Sequence, residues 1–217
     1  MISNQKFFYN TKTLPVDEFI ENVLFNKKIG YYSSNNPFGK SGDFLTAPGI
    51  SILFSEIIGI WLLSTWITLG KPKKINIVEL GPGDGNLIKT LLSTFKKFPK
   101  FNKAVNIFLY EKSNLLKKIQ KKNINNSKVK WINNFTSIKT GPVIFFGNEF
   151  FDAIPIKQFF QKKNTLLEKN FSLDEQNEIN EIYRKASAKD ISQIKKFKTF
   201  NNLKFLEFPK LGLTELK

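Results

Sequence analysis

The stretch VELGPGDGN places a glutamate and three glycines at alternate positions, where an apolar run gives way to a helical pattern. The residues are Glu79, Gly81, Gly83 and Gly85. A phosphate-binding P-loop needs four residues between its glycines and then Lys-Ser or Lys-Thr, and this stretch has neither. A dinucleotide fingerprint needs a glycine in the sixth position, where Asn86 stands. The turn therefore favours a compact ligand without a pyrophosphate.

This E-x-G-x-G-x-G arrangement resembles the S-adenosylmethionine turn of class I methyltransferases. Glycines let the backbone approach the amino-acid end of that ligand, amides at the next helix N-terminus can serve its carboxylate, and Glu79 can bond backbone or a water near its ammonium. Glu111 ends the following predicted strand. Ligands of open parallel sheets bind at the carboxyl ends of strands, so we expect Glu111 to accept both ribose hydroxyls. The alternative is a tight strand-to-helix turn, with Glu111 an ordinary solvated acid.

A second group of polar residues, GNEFFDAIP, follows the fourth predicted strand, at the position that faces the methyl group in class I methyltransferases. Two carboxylates beside aromatic rings suit a guanidinium, which binds carboxylates bidentately and stacks on rings. The candidate acceptor-binding and catalytic residues are Asn148, Glu149 and Asp152. The alternative is a helix N-terminus that Asp152 caps, with the phenylalanines in the core.

The composition excludes several kinds of catalytic site. The 217 residues include no Cys and no His, which excludes disulfides, thiolate nucleophiles, imidazole bases and Cys/His zinc sites. No metal site is expected. Methyl transfer fits this composition, because a sulfonium is already a good leaving group and the protein has mainly to align the reactants and exclude water.

The formal charge of +16 suggests a nucleic-acid partner, since basic surfaces gain affinity for phosphates by releasing counterions. However, Arg184 is the only arginine among 34 basic residues, and the lysines are spread from end to end. Dedicated recognition of phosphates and base edges usually employs several arginines. A nucleic acid is therefore not the expected partner.

Alternating strand and helix patterns after residue 73 predict an α/β fold, with a parallel sheet covered by helices. The predicted strands are Ile75–Leu80, Val105–Tyr110, Val129–Ile132 and Val143–Phe146. The helix after the glycine turn has an inward stripe, formed by Leu87, Ile88, Leu91, Leu92 and Phe95. A second helix is predicted over Asn114–Lys122, with inward positions Leu115, Leu116 and Ile119.

Residues 1–72 are expected to form an N-terminal helical lobe, with a long ordered loop over residues 30–50. A helix with one buried face is predicted from Val16 to near Gly30. The apolar stretch Ile50–Leu69 could span a bilayer by its length, but its polar interruptions favour a buried helix. Residues 73–217 are expected to form the cofactor-binding core. Within it Ile156–Phe171 reads as a hairpin that turns at Lys162–Asn164, and residues 172–200 are polar with no clear pattern.

Six stretches, GYY, FGKSGDFLTAP, SEIIGIWLLSTW, VELGPGDGNL, NEFFDAIPIKQF and, more weakly, LEFP, occur in the order seen in the MidA family. The chain resembles that family over nearly its whole length. Its members are S-adenosylmethionine-dependent methyltransferases, and the mitochondrial member is the complex I assembly protein-arginine methyltransferase. The resemblance implies a class I Rossmann-like sheet, incomplete because the chain is truncated at its C-terminus. It also implies that a loop closes over the cofactor, with Gly42, Asp43, Thr46 and Pro48 in it.

The resemblance implies that the chain methylates an arginine of a partner protein, a respiratory complex I subunit, with S-adenosyl-L-methionine as cofactor. A cytoplasmic location is implied in a bacterium and a mitochondrial one in a eukaryote, without membrane insertion. Two alternatives stay open. One is a methyltransferase acting on RNA or DNA, and the other is a non-catalytic, cofactor-binding scaffold that assists assembly of a membrane complex. The sequence does not predict an oligomeric state.

Overall fold

A computed structural model describes residues 4–9, 11–34, 37–39, 42–44, 46–197 and 203–209. Within these ranges the helices are α1 (Gln5–Phe8), α2 (Val16–Phe25), α3 (Tyr31–Ser34), α4 (Ala47–Ile50), α5 (Ile52–Thr68), α6 (Asn86–Lys96), α7 (Pro99–Ala104), α8 (Asn114–Ile124) and α9 (Ala188–Lys195). The strands are β1 (Thr13–Pro15), β2 (Ile75–Leu80), β3 (Val105–Tyr110), β4 (Val129–Ile132), β5 (Val143–Phe146), β6 (Lys157–Lys162), β7 (Thr165–Leu173), β8 (Ile179–Lys185) and β9 (Phe205–Phe208). A 3-10 turn covers Phe151–Ala153.

Contacts divide the chain into two compact units. One unit is formed by residues 1–26 together with 153–217, and the other by residues 27–152. The boundary that we predicted between residues 72 and 73 falls inside the second unit. The long loop and the strands of the parallel sheet therefore share a unit.

The unit of residues 27–152 is built on a parallel sheet with strand order β4-β3-β2-β5. Every residue of the central strand β2 is buried, because it is paired on both sides and covered on both faces. Glu79 lies opposite Leu109 of β3 and Phe146 of β5. The predicted α/β class and the bounds of the four strands are confirmed, and the carboxyl ends of β2 and β3 lie side by side.

Helix α6 covers this sheet with the predicted stripe, whose five residues are all buried. Helix α5 packs against α6 through Gly59, where an added Cβ would lie 3.0 Å from the Thr94 side chain and 3.2 Å from that of Leu91. The glycine thus permits a close approach of the two helices. The core between helices and sheet includes Leu62, Trp66, Ile77, Ile88, Leu91, Phe95 and Ile107.

Helix α5 is only half buried, whereas the sequence predicted a buried helix. Its inward side consists of Ser55, Gly59, Leu62 and Trp66. Its other side is apolar but exposed, and includes Leu53 at 62% and Ile57 at 57% exposure. The hydropathy of a segment indicates that its side chains are apolar, but it does not predict how much of that apolar surface other parts of the fold will cover. Among the described helices, none is both long and apolar enough to cross a membrane.

The unit of residues 1–26 and 153–217 is built on an antiparallel sheet. Its main path has the order β1-β7-β6-β9, and β8 pairs with β7. The predicted hairpin is present, with β6 and β7 joined through Lys163 at a φ of 51°. The polar segment after residue 172 contains β8 and α9, which the sequence analysis did not identify.

A buried lysine surrounded by carboxylates ties this second sheet to its helices. Lys157 of β6 pairs with Glu168 of β7, and its Nζ lies 3.5 Å from Asp17 Oδ1 and 3.8 Å from Asp190 Oδ2. Burial lowers the pKa of Lys157, but its hydrogen bond to Glu168 and the neighbouring negative charges outweigh that effect, so that the pKa is raised. The cluster joins α2, β6, β7 and α9.

Candidate cofactor and acceptor site

The glycine turn after β2 has a left-handed backbone at each of its three glycines. Gly81, Gly83 and Gly85 have φ values of 60°, 56° and 86°, in the left-handed region that disfavours other residues. A Cβ on Gly81 would lie 2.8 Å from Phe150, and one on Gly85 would lie 2.9 Å from Ile124. The glycines are thus required first by backbone conformation and by packing within the protein, rather than by room for a ligand alone.

The Glu79 carboxyl lies beneath this turn and is 2% exposed. Its Oε2 atom is buried without a hydrogen-bond partner among the described residues. Burial raises the pKa of Glu79 to about 8, and the negative charges of Asp84 and Glu111 add to the increase. A buried acceptor of this kind is costly to leave unpaired, so the site is suited to a ligand that carries hydrogen-bond donors or positive charge.

The Glu111 carboxylate, at the end of β3, is 8% exposed and accepts hydrogen bonds from Ser113, Gln120 and the Lys112 backbone. Its Oε1 accepts from the Ser113 amide at 2.7 Å, and its Oε2 accepts from Gln120 Nε2 at 3.0 Å. Burial raises the pKa of Glu111, and the hydrogen bonds from Ser113 and Gln120 oppose the increase. A carboxylate oxygen can accept more than one hydrogen bond, so Glu111 retains capacity to accept from hydroxyl groups of a ligand.

Gln120 of α8 connects Glu111 to the glycine turn. The same Nε2 group that donates to Glu111 also donates to the Gly83 carbonyl at 2.8 Å. The sequence pattern did not indicate Gln120, and the predicted inward positions were Leu115, Leu116 and Ile119, of which Leu116 is buried. The Leu115 and Ile119 side chains are only partly buried, whereas Gln120 is fully buried. The helical spacing Leu116, Gln120 and Ile124 was the available signal, but a glutamine at such a position reads as solvent-facing.

The start of α6 is capped by Asp84. Its Oδ1 accepts from the Asn86 amide at 3.1 Å, and its Oδ2 accepts from Asn86 Nδ2 at 2.6 Å. Asn123 Nδ2 donates to the Asp84 carbonyl at 2.9 Å. The first amide of α6 therefore already has a partner in a carboxylate of this chain, and service of a ligand carboxylate by the amides at this helix start stays a prediction.

The loop over residues 30–50 lies against the glycine turn through aromatic side chains. Phe38 lies 3.5 Å from the position of a Cβ on Gly83, and its ring is stacked on that of Tyr32 at 6.4 Å. Ser113 Oγ donates to the Tyr32 carbonyl at 2.6 Å, close to Glu111 in the chain. Tyr32 and Phe38 thus adjoin the turn and the end of β3.

The loop residues named by resemblance have mainly local contacts among the described residues. Gly42 donates its amide to the Gly39 carbonyl at 3.0 Å, and an added Cβ would lie 2.3 Å from the Pro37 carbonyl oxygen. Asp43 accepts a hydrogen bond from the Tyr31 hydroxyl, which raises the pKa of Tyr31 to about 12. The carbonyl of Thr46 accepts hydrogen bonds from the last two amides of α4, those of Gly49 and Ile50. Pro48 lies within that helix. Each therefore shapes the loop.

The acceptor candidates follow β5 on an unusual backbone. Asn148 is half-buried, and Glu149 and Asp152 are exposed. Glu149 has a φ of 57°, a left-handed conformation that is strained for a non-glycine residue and often marks a functional position. Phe150 packs on Tyr110, so the aromatic side chain next to Glu149 is anchored on the sheet.

Tyr32 shows that the cofactor and acceptor candidates are near one another. Burial raises the pKa of the Tyr32 hydroxyl. Three carboxylates raise it further by their negative charge: Glu111, Glu149 and Asp152. These side chains therefore share one electrostatic environment with an aromatic hydroxyl, which was not among the predicted site residues. No group of His, Cys, Asp and Glu suited to a metal ion is present in the described part of the chain.

The residues at the turn fit S-adenosylmethionine by their chemistry. The unpaired oxygen of Glu79 suits an ammonium donor, and the held carboxylate of Glu111 suits a pair of hydroxyls. The start of α6 fits this cofactor less well. Asp84 already accepts from the Asn86 amide, and its negative charge lies beside the expected position of the cofactor's carboxylate.

Comparisons with known proteins identify the relatives of this chain. A family model of S-adenosyl-L-methionine-dependent methyltransferases matches residues 57–207. The chain is 31% identical over 189 residues to the mitochondrial protein arginine methyltransferase NDUFAF7 of Xenopus laevis, covering 76% of this chain and 43% of that protein. It is 32% identical over 169 residues to the homolog of Drosophila melanogaster, covering 68% of this chain and 38% of that protein. The chain thus spans less than half the length of these relatives.

A solved structure has the same fold. It is a protein of Burkholderia thailandensis, bound to S-adenosyl-homocysteine, that aligns with a TM-score of 0.74 and 21% identity over 94% of this chain and 54% of its own. A native crystal structure of a protein from the same organism aligns with a TM-score of 0.70 and 20% identity. The family match covers well over half of the sequence, and the fold and the turn are consistent with it. The chain belongs to this family of S-adenosyl-L-methionine-dependent methyltransferases.

Proposed function

We propose that the chain binds S-adenosylmethionine across the glycine turn and Glu111 and transfers its methyl group to an arginine of a partner protein. One observation carries the first half. The Gln120 amide donates both to the Gly83 carbonyl and to the Glu111 carboxylate, so the carboxylate lies beside the turn rather than in solvent. Had Glu111 pointed away, a cofactor could not contact both.

The cofactor, when bound, supplies a methyl group on a sulfonium that needs no further activation. The residues of the chain then bind and orient. Glu111 accepts hydrogen bonds from the ribose hydroxyls. Glu79 accepts a hydrogen bond from the ammonium, either directly or through a water molecule. Tyr32 and Phe38 adjoin this region from the loop and exclude water from it, which strengthens electrostatic contacts there.

The acceptor is a guanidinium bound by Glu149 and Asp152. Exposed carboxylates beside anchored aromatic rings provide bidentate charge-assisted hydrogen bonds and a stacking surface. Asn148 adds an amide oxygen that can accept a third donor. The relatives' names as protein arginine methyltransferases support a protein acceptor. The family resemblance further suggests a respiratory complex I subunit, in the cytoplasm of a bacterium or in a mitochondrion.

Calorimetric titration of S-adenosylmethionine tests cofactor binding. We expect saturable binding by the natural chain and its loss in Gly83→Val, because a β-branched residue is strongly disfavoured at a φ of 56°. Gly49→Ala is the matched control, since Gly49 has an ordinary φ and only one atom, 3.8 Å away, near an added Cβ. Absence of binding to the natural chain, or equal binding by Gly83→Val, contradicts the proposal.

Radiolabelled methyl transfer into a cell extract tests the acceptor site. Glu149→Gln should abolish labelling of a protein band and leave cofactor affinity nearly unchanged, whereas the exposed Glu175→Gln should leave both unchanged. Mass spectrometry of the band should find methylarginine. Label in nucleic acid, with binding that weakens steeply with salt, would instead support a nucleic-acid methyltransferase. Cofactor binding without label in any acceptor would support a scaffold.

A further inference from the structure

The side-chain amide of Gln120 is fully buried and has a partner for each of its polar atoms. Nε2 donates to Gly83 O at 2.8 Å and to Glu111 Oε2 at 3.0 Å, and Oε1 accepts from Trp131 Nε1 at 2.8 Å. Because two acceptors face the nitrogen and one donor faces the oxygen, only one orientation of the amide satisfies all three partners.

The first effect of this amide is on the backbone of the glycine turn. Gln120 holds the Gly83 carbonyl toward α8. The peptide that follows is planar and trans, so the N–H of Asp84 points to the opposite side. Since Gly83 could adopt many conformations, this hydrogen bond selects one of them.

The second effect is on Glu111. Gln120 holds one carboxylate oxygen and the Ser113 amide holds the other, so the plane of the carboxylate is fixed. A group that must accept two hydroxyls at defined positions benefits from such support, because less freedom is lost when the ligand binds.

We propose that Gln120 is a positioning residue that holds the glycine turn and Glu111 in register, so that the amino-acid and ribose halves of S-adenosylmethionine are bound together. The inference rests on the proposed function. It differs from a role in packing, for which an unbranched apolar side chain of similar size would serve. Trp131 donates to the oxygen of the same amide. This hydrogen bond therefore orients the Gln120 side chain, although Trp131 makes no hydrogen bond to the glycine turn through it.

Titration of Gln120→Met with S-adenosylmethionine tests the proposal. We expect about a 10- to 100-fold loss of affinity, because the Gly83 carbonyl and the Glu111 carboxylate lose a donor. Methylthioadenosine, which has the ribose but no amino-acid end, should also bind more weakly, because Glu111 is no longer held. Trp131→Phe is the control. It should lower the affinity for S-adenosylmethionine less than Gln120→Met does, because Gln120 can still donate to both Gly83 and Glu111.

A pH series on Gln120→Glu separates positioning from packing. Two ionised carboxylates cannot hydrogen-bond to each other, but one shared proton restores a donor between Glu111 and the new side chain. The affinity of Gln120→Glu, relative to the natural chain, should therefore recover as the pH falls from about 8 toward 5. Gln120→Met should show no such recovery.

The outcomes distinguish this inference from the proposed function. If the natural chain does not bind S-adenosylmethionine, the proposed function fails. If the natural chain binds and Gln120→Met binds equally well, only the positioning role is overturned. If Gln120→Met does not fold, as judged by circular dichroism, the Gln120→Glu series decides alone. An affinity ratio that is independent of pH then refutes the inference.

Discussion

Replacement of the buried carboxyl of Glu79 by a neutral amide should stabilise the protein at high pH. The Glu79 carboxyl is 2% exposed with one unpaired oxygen, and its pKa is raised from 4.5 to about 8, chiefly by burial. Since one pKa unit corresponds to about 1.4 kcal/mol, keeping this group ionised in the fold costs about 5 kcal/mol. Glu79→Gln keeps nearly the same shape and removes that cost.

The sign of the pH dependence follows from the raised pKa. The folded state binds the Glu79 proton more tightly than the unfolded state does. The contribution of this proton to the free energy of unfolding is therefore fully present below pH 4.5. It is lost progressively as the pH rises, and is gone above about pH 8. The free energy of unfolding of Glu79→Gln, minus that of the natural chain, should therefore rise across this window by up to about 5 kcal/mol.

Urea unfolding of both proteins, followed by circular dichroism at several pH values from about 5 to 9, measures this difference. All other titrating groups are common to the two proteins and cancel. The exposed Glu175→Gln is the control and should give a flat difference. A flat difference for Glu79→Gln would show that Glu79 is ionised and paired in the fold, and the reasoning about its unpaired oxygen would be refuted.

Three further substitutions test other parts of the structure. Gly85→Ala should lower the free energy of unfolding by about 1–3 kcal/mol in urea denaturation, because φ is 86° and the new Cβ meets a side chain at 2.9 Å, whereas an equal loss in Gly49→Ala would contradict this reason. Lys157→Met should destabilise by about 3–5 kcal/mol in the same assay, because it removes the buried cation that lies among three buried carboxylates, and a neutral effect would refute the stabilising role of that cation. In a spectrophotometric titration of tyrosinate, Asp43→Asn should lower the pKa of Tyr31 from about 12 toward 10, and an unchanged titration would show that the hydrogen bond does not form in solution.

The parallel sheet could be predicted from the sequence because its signals are local. The strands of the parallel sheet are short runs rich in apolar residues, and their predicted bounds agree with the structure. The glycine turn and Glu111 follow from the same pattern, since parallel strands bring their carboxyl ends to one edge. The predicted roles of Asn148, Glu149 and Asp152 in binding an acceptor stay predictions.

Features that depend on distant contacts could not be predicted in the same way. Gln120 is polar, so nothing in its own segment shows that Gly83, Glu111 and Trp131 will surround it. Strand β8 is mostly exposed and becomes a strand through pairing with β7, which a weak local pattern does not reveal. For α5 the sequence correctly predicted a helix but could not predict how much of its apolar surface the fold would cover.

The antiparallel unit is assembled from the two ends of the described chain, and this affects the order of events during synthesis. Leu14 of β1 pairs with Phe171 of β7, although the whole of the other unit lies between them in sequence. On the ribosome, the first strand must wait for a partner that emerges late, while the parallel sheet can already form from contiguous chain. Closure of the antiparallel sheet should therefore follow formation of the parallel sheet.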